Sequence, residues 1–188
     1  MVTIGKARMG AILVMFGLLG LASGQALAEV RINGQAQAGG GPLASSTVTL
    51  WAASSGEPKQ LAQTMTGNDG HFVLNTPEAL GADVSLYVVA KGGQAKGSGD
   101  NPAITLLTVL GNTPPPNAVI NEMTTIASVW THNQFIDGAA IKGSPLALRI
   151  AAGNVPNFVD LTTGGYGTAI SDALNSAQTP TMANFVTC

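Results

Sequence analysis

The sequence predicts a mainly β protein with a helical C-terminal part: an antiparallel β-sandwich or barrel followed by short α-helices. Two observations carry this. From Val30 to about Val89, short runs of alternating or β-branched residues are separated by Gly, Pro, Ser and Asp turn signals. After GNTPPPN the apolar spacing changes from every second residue to every third or fourth, which is the spacing of a helix face.

The front half offers VRINGQAQA, TVTLWAA, QLAQTMT, HFVLN and VSLYVVA as strands. Short strands joined by turns suit a sandwich or barrel. Side chains alternate across a strand, so Val48, Leu50 and Ala52 share one face, as do Phe72 with Leu74, and Val84 with Leu86 and Val88. These residues are the expected core. Between two of the strands, in TGNDGHFVL, Asn68, Asp69 and Gly70 tolerate positive φ, and the Asp69 carboxylate can bond nearby backbone amides. Asp69 is therefore expected at a turn. A calcium loop would need acidic residues at alternate positions and a distant glutamate, which this stretch lacks. A sixth strand, ITLLTVL at 104–110, follows KGGQAKGSGDNP, whose glycines predict a mobile connection.

In VINEMTTIASVWTHNQF, Ile120, Met123, Ala127 and Trp130 fall on one helical face, with Asn121 as cap. Ser144 before Pro145 predicts a second short helix, LALRIAA, stopped by Gly153. The same pairing at Thr179 and Pro180 predicts a third. The expected organisation is an export signal over 1–28, a β-sandwich over 29–112, and a helical region with glycine-rich loops over 113–188.

Residues 1–28 begin with Lys6 and Arg8, continue through MGAILVMFGLLGLA, and place Ala26 and Ala28 at the small-residue positions of a cleavage site. The expectation is a periplasmic or secreted protein, cleaved after Ala28. The apolar run is shorter than the ~18 residues of a membrane span, so none is expected. Without Lys6 and Arg8, six basic residues face ten acidic ones and no basic cluster remains, which argues against nucleic acid as a partner. Charged residues are 10% of the chain where about 25% is usual, and Thr, Ser, Asn and Gln supply the polarity instead. Cys188 is the single cysteine, so no intrachain disulfide can hold the fold.

With two histidines, His71 and His132, a three-histidine or HExxH metal site cannot form. There is no G-x-S-x-G turn and no phosphate-binding glycine loop. No metal, cofactor or catalytic set is expected, and the reading is a non-catalytic module. The competing class is a hydrolase-type enzyme that brings His132 together with Asp137 or Asp160 across the chain.

The order VRINGQ, GGPLASSTVTLW, TMTGNDGHFVL resembles the carboxypeptidase regulatory-like domain, a transthyretin-like β-sandwich of exported bacterial proteins. The matching residues are Gly34, Gly41, Pro42, Leu43, Val48, Leu50, Thr66, Asp69, Gly70 and Phe72, within about residues 30–91. The resemblance implies a non-catalytic accessory or surface module. The later INEMTTIASVWTHNQF and NVPNFVDLTTGG look like a segment that precedes β-propeller repeats in longer exported proteins, so a spacer or an N-terminal piece of a larger protein is the alternative role.

The same alternation that buries Val48 and Leu50 turns Trp51 and Tyr87 to the opposite face. There they are candidate ligand-binding residues, a flat aromatic platform for sugar rings or another envelope component, with Thr49 and Ser85 as hydrogen-bond donors. The competing and preferred reading lays the C-terminal helices over both rings, with Trp130, Phe135 or Phe158 as cover.

Overall fold

The computed structural model describes residues 30–77, 81 and 83–172. The expected export signal, the helix start at Thr179–Pro180 and Cys188 lie outside the described residues. The chain runs through β1 (Val30–Ala38), β2 (Gly41–Ala44), β3 (Thr47–Ala53), β4 (Lys59–Met65), β5 (His71–Thr76), β6 (Ser85–Lys91), β7 (Gln94–Ala95), β8 (Thr105–Gly111) and β9 (Asn117–Ile120). Helix α1 (Glu122–His132), a hairpin of β10 (Ile136–Asp137) and β11 (Ala140–Ile141), and helices α2 (Pro145–Phe158) and α3 (Thr168–Ser171) follow. This is the expected class, a β-sandwich with short helices late in the chain.

One sheet is built around β1. Its first half pairs antiparallel with β5, from Val30 opposite Thr76 to Gln35 opposite His71. Its end turns through Gly39 and Gly40, both at positive φ, into β2. On the other side β1 runs parallel to β9, Asn33 to Ala36 beside Asn117 to Ile120. Gly34 lies at the crossing of these pairings, where a Cβ would meet the Phe72 ring at 2.2 Å and the Ala118 carbonyl at 2.6 Å. The second sheet has the order β4-β3-β6-β8, all antiparallel.

Three layers result. Between the sheets lie Ile32, Val48, Leu50, Phe72, Leu74, Leu86 and Val88, the expected inner residues among them. The outer face of the second sheet carries a second apolar cluster, in which Tyr87, Val89, Leu107 and Val109 meet Ala127 of α1 and Leu148 and Val155 of α2. β6 and β8 are therefore buried on both faces, which explains their nearly continuous apolar sequences.

Three expectations are corrected. The KGGQAKGSGDNP connection contains β7, which pairs with β2, and Asn101 N–H donates to the Gly93 carbonyl, so the segment is hydrogen-bonded in place. Helix α2 does not stop at Gly153 but continues to Phe158 through Pro156. Val155, beyond the glycine, is fully buried, and its burial contributes about 1.5–3 kcal/mol against the ~1 kcal/mol of a helix-interior glycine. Finally, the buried face of α1 is Thr124, Ala127, Ser128 and His132, while Ile120 belongs to β9 and Trp130 is 38% exposed.

A polar face is buried because α1 lies along the free edge of β8. Leu107 N–H donates to Thr125 Oγ1 and Val109 N–H to Ser128 Oγ, both at 2.9 Å, and Thr124 Oγ1 donates to the Leu107 carbonyl at 3.3 Å. The hydroxyls take the place of a neighbouring strand. Asn121 sets the helix in register: its side chain accepts from Thr124 N–H, and its own N–H donates to Thr124 Oγ1, a closed capping box.

Ser128→Ala leaves the buried Val109 N–H without an acceptor and is expected to cost about 1–3 kcal/mol. Urea unfolding reads this as a lower midpoint at unchanged slope; an unshifted midpoint would show that the edge bond contributes nothing.

Candidate functional site

The helices cover β8 and β6 but leave much of the outer face of β3 and β4 open. There the strand register builds a floor in rungs. Tyr87, Trp51 and Gln60 lie side by side on β6, β3 and β4; Val89, Thr49 and Gln63 form the next rung, and Lys91 with Thr47 the third. A β-bulge in β4 at Leu61 brings Gln60 opposite Trp51 and so keeps both glutamines on this face. The β10–β11 hairpin makes one wall through Asp137, Ala139 and Ala140, and Glu57 with Pro58 closes an end. The enclosed groove has a volume of about 590 Å³, within the range of small-ligand sites.

The hairpin forms because Asp137-Gly138 between Ile136 and Ile141 is a tight-turn sequence, and Gly138 adopts φ +59°. It is pinned at its base. Ile141 N–H donates to the Tyr87 hydroxyl at 3.4 Å, Gly143 N–H to the Ser54 carbonyl at 2.9 Å, and Lys142 Nζ to Glu57 Oε1 at 2.7 Å. The Glu57 contact raises the Lys142 pKa, with Asp137 adding a smaller field.

The two aromatics part company. Tyr87 is 1% exposed, as the preferred reading of a covered face expects, and it is therefore no part of an exposed aromatic platform: the hairpin and α2 close over this side chain. Burial pushes its phenol pKa up, opposed in part by the Ile141 N–H. Trp51 is only partly buried and lines the groove. Its ring stacks beside Tyr87, centroids 6.4 Å apart and planes 15° from parallel, as a cross-strand pair. Trp130 takes no part in covering it. Ser85 lies beyond Tyr87, opposite Ala53, and does not line the groove.

Thr49 is the residue that marks the floor. It is 9% exposed, yet its hydroxyl has no hydrogen-bond partner among the described residues. The hydroxyl faces the groove, where it can donate to and accept from a ligand. Gln63 and Gln60 add amides above it, joined by a 3.3 Å bond from Gln60 Nε2 to Gln63 Oε1.

The other candidate groups are structural. Asp69 Oδ1 accepts from His71 N–H at 3.1 Å beside Gly70 at φ +76°, the expected turn. Asp160 does the same in the turn after α2: the Thr162 hydroxyl and amide hold its carboxyl below the usual range. His132 is fully buried; Nδ1 lies 3.1 Å from the Ser128 carbonyl, and Nε2 has no partner. It meets neither Asp137 nor Asp160, so that hydrolase-type set does not assemble. A second cavity, about 640 Å³, lies between the end of β8 and α2 beside Arg149, Asp160 and Tyr166. It is larger, but its carboxylate is spoken for by Thr162. Among the described residues no cluster of three or more His, Cys, Asp or Glu could hold a metal ion, and no helix is long and apolar enough to cross a membrane.

No family model matches the chain, and no curated protein matches it. Among solved structures, it is similar to a 9R-lipoxygenase from Cyanothece PCC8801 at 14% identity and a TM-score of 0.28. The match covers 49% of this chain and 15% of the lipoxygenase. So slight a likeness carries no argument about fold or activity.

Burial lowers the His132 pKa from its ordinary value, the Ser128 carbonyl opposing in part. The unfolded chain then binds the proton more readily than the folded one. The resulting stability is complete above the unfolded pKa of about 6.5 and is lost as pH falls from there towards the folded pKa. Urea midpoints are expected to drop between pH about 7.5 and about 5.5, and His132→Leu should flatten that drop; an equal drop in the variant places its origin elsewhere.

Proposed function

We propose that the chain is an exported, non-catalytic binding module of the carboxypeptidase regulatory-like kind, whose groove takes a polyhydroxylated ligand, a carbohydrate chain of the cell envelope or its surroundings. The observation that carries the reading is the pairing of Trp51 with Thr49 on one strand face. A sugar ring offers an apolar C–H face and a rim of hydroxyls. Trp51 supplies a flat apolar surface, and the unpartnered Thr49 hydroxyl with the Gln60 and Gln63 amides supplies bonds two residues away on the same floor. Because these groups stand on strands rather than on a loop, their spacing is fixed before a ligand arrives, which reduces the entropy lost on binding.

The residue 1–28 pattern supports export, and the match of GGPLASSTVTLW and TMTGNDGHFVL to the resemblance supports the accessory role. The turn duties of Asp69 and Asp160 and the isolation of His132 support a binding rather than a catalytic reading.

Affinity electrophoresis of the protein through gels containing soluble envelope and extracellular polysaccharides tests this. Retardation by at least one polysaccharide is expected, weakened about tenfold or more in Trp51→Ala, equivalent to about 1.4 kcal/mol. Trp51 also packs on Tyr87, so Gln63→Ala on the exposed edge strand is the second variant, with an expected loss of about two- to fivefold. Equal retention of wild type and both variants would remove the groove from the account.

A further inference from the structure

The groove has two chemically different ends. Trp51 and Thr47 are four residue steps apart on β3, about 13 Å along the strand. At the Trp51 end stand two carboxylates, Glu57 and Asp137, but Glu57 is bonded to Lys142 at 2.7 Å and Asp137 lies in the field of the same ammonium. With one ammonium against two carboxylates, that end keeps a net negative charge. At the Thr47 end stands Lys91, directly across the ladder from Thr47. Lys91 is the one cation among the described residues lining the groove, and no carboxylate among the described residues lies within salt-bridge distance of it.

A ligand that fills the floor therefore meets an aromatic ring beside a net negative end first, the Thr49 hydroxyl next, and an uncompensated ammonium last. We infer that the groove selects a chain bearing an anionic substituent, a carboxylate or a phosphate ester, about 13 Å from the ring that rests on Trp51, with Lys91 as its counter-ion. The chain then lies in one direction along β3, because the reverse orientation brings the anion towards Asp137 and Glu57 and leaves Lys91 unmatched. Such charge placement contributes more to selectivity and orientation than to raw affinity. The inference rests on the binding role proposed above and adds to it the charge and polarity of the ligand.

The test is a titration of the protein with three probes: an oligouronate, the same oligomer with its carboxyls reduced to alcohols, and a sugar-phosphate oligomer. The Trp51 indole N–H resonance reports occupancy of the groove. The expected result is that the oligouronate or the sugar-phosphate oligomer binds about threefold to fivefold more tightly than the reduced oligomer at low salt, with the ratio shrinking as salt rises. Which of the two does so identifies the source of the anion. Lys91→Gln should abolish that ratio and Lys91→Arg should restore it. If the oligouronate, the reduced oligomer and the sugar-phosphate oligomer all shift the Trp51 resonance with equal affinity, or if Lys91→Gln leaves the ratio intact, the selectivity is overturned while the groove remains a binding site. If none of the three moves the Trp51 resonance, the binding role itself falls and the selectivity with it.

Discussion

The edge of β8 is the constraint on which the rest of the arrangement depends. A strand that ends a sheet leaves a row of N–H and C=O groups unbonded, and when a helical layer buries that edge, water cannot supply the partners. Here the hydroxyls of Thr124, Thr125 and Ser128 do so. Satisfying the edge fixes which face α1 turns inward, and the Asn121 capping box fixes where the helix begins. With α1 held along β8, α2 can bury Leu148 and Val155 only against the outer face of β6 and β8.

The groove follows from that placement. Helices committed to β8 and β6 cannot also cover β3 and β4, and the short hairpin after α1 seals Tyr87 but stands only as a wall beside Trp51. One ring of the cross-strand aromatic pair is therefore sealed, and the other stays at the boundary between core and solvent. The polar residues around it, Thr49, Gln60 and Gln63, remain available because no later element supplies a partner for them. The carboxylates elsewhere are tied to backbone geometry, Asp69 and Asp160 each bonding an amide two residues ahead. A chain with 10% charged residues has few to spare for anything else.

Much of the sandwich was legible because alternation is local. The runs beginning at Val30, Thr47 and His71 became strands with their apolar residues inward, and the Asn68-Asp69-Gly70 turn carried its own chemistry. The site was legible by half. Trp51 and Tyr87 were correctly placed on one face, yet nothing in their spacing could say that one would be covered and the other left open. The glutamines escaped notice because the bulge at Leu61 breaks the alternation of β4. The hairpin wall had a signal, Asp137-Gly138 between isoleucines, that the helical reading of the second half passed over. The α1 face was misjudged because apolar periodicity assumes an apolar partner, whereas the partner here is a strand edge that needs hydrogen bonds.

By itself the sequence determined the strands of the front half, their inner faces, the turn at Asp69 and the starts of α1 and α2, since each depends on residues within a few positions of one another. Tertiary structure alone decided the parallel pairing of β1 with β9, the burial of hydroxyls along β8, the extension of α2 through Gly153, and the opening beside Trp51. Each of those is settled by groups tens of residues apart, where the free energy of burying a surface or bonding an edge overrides what the local pattern favours.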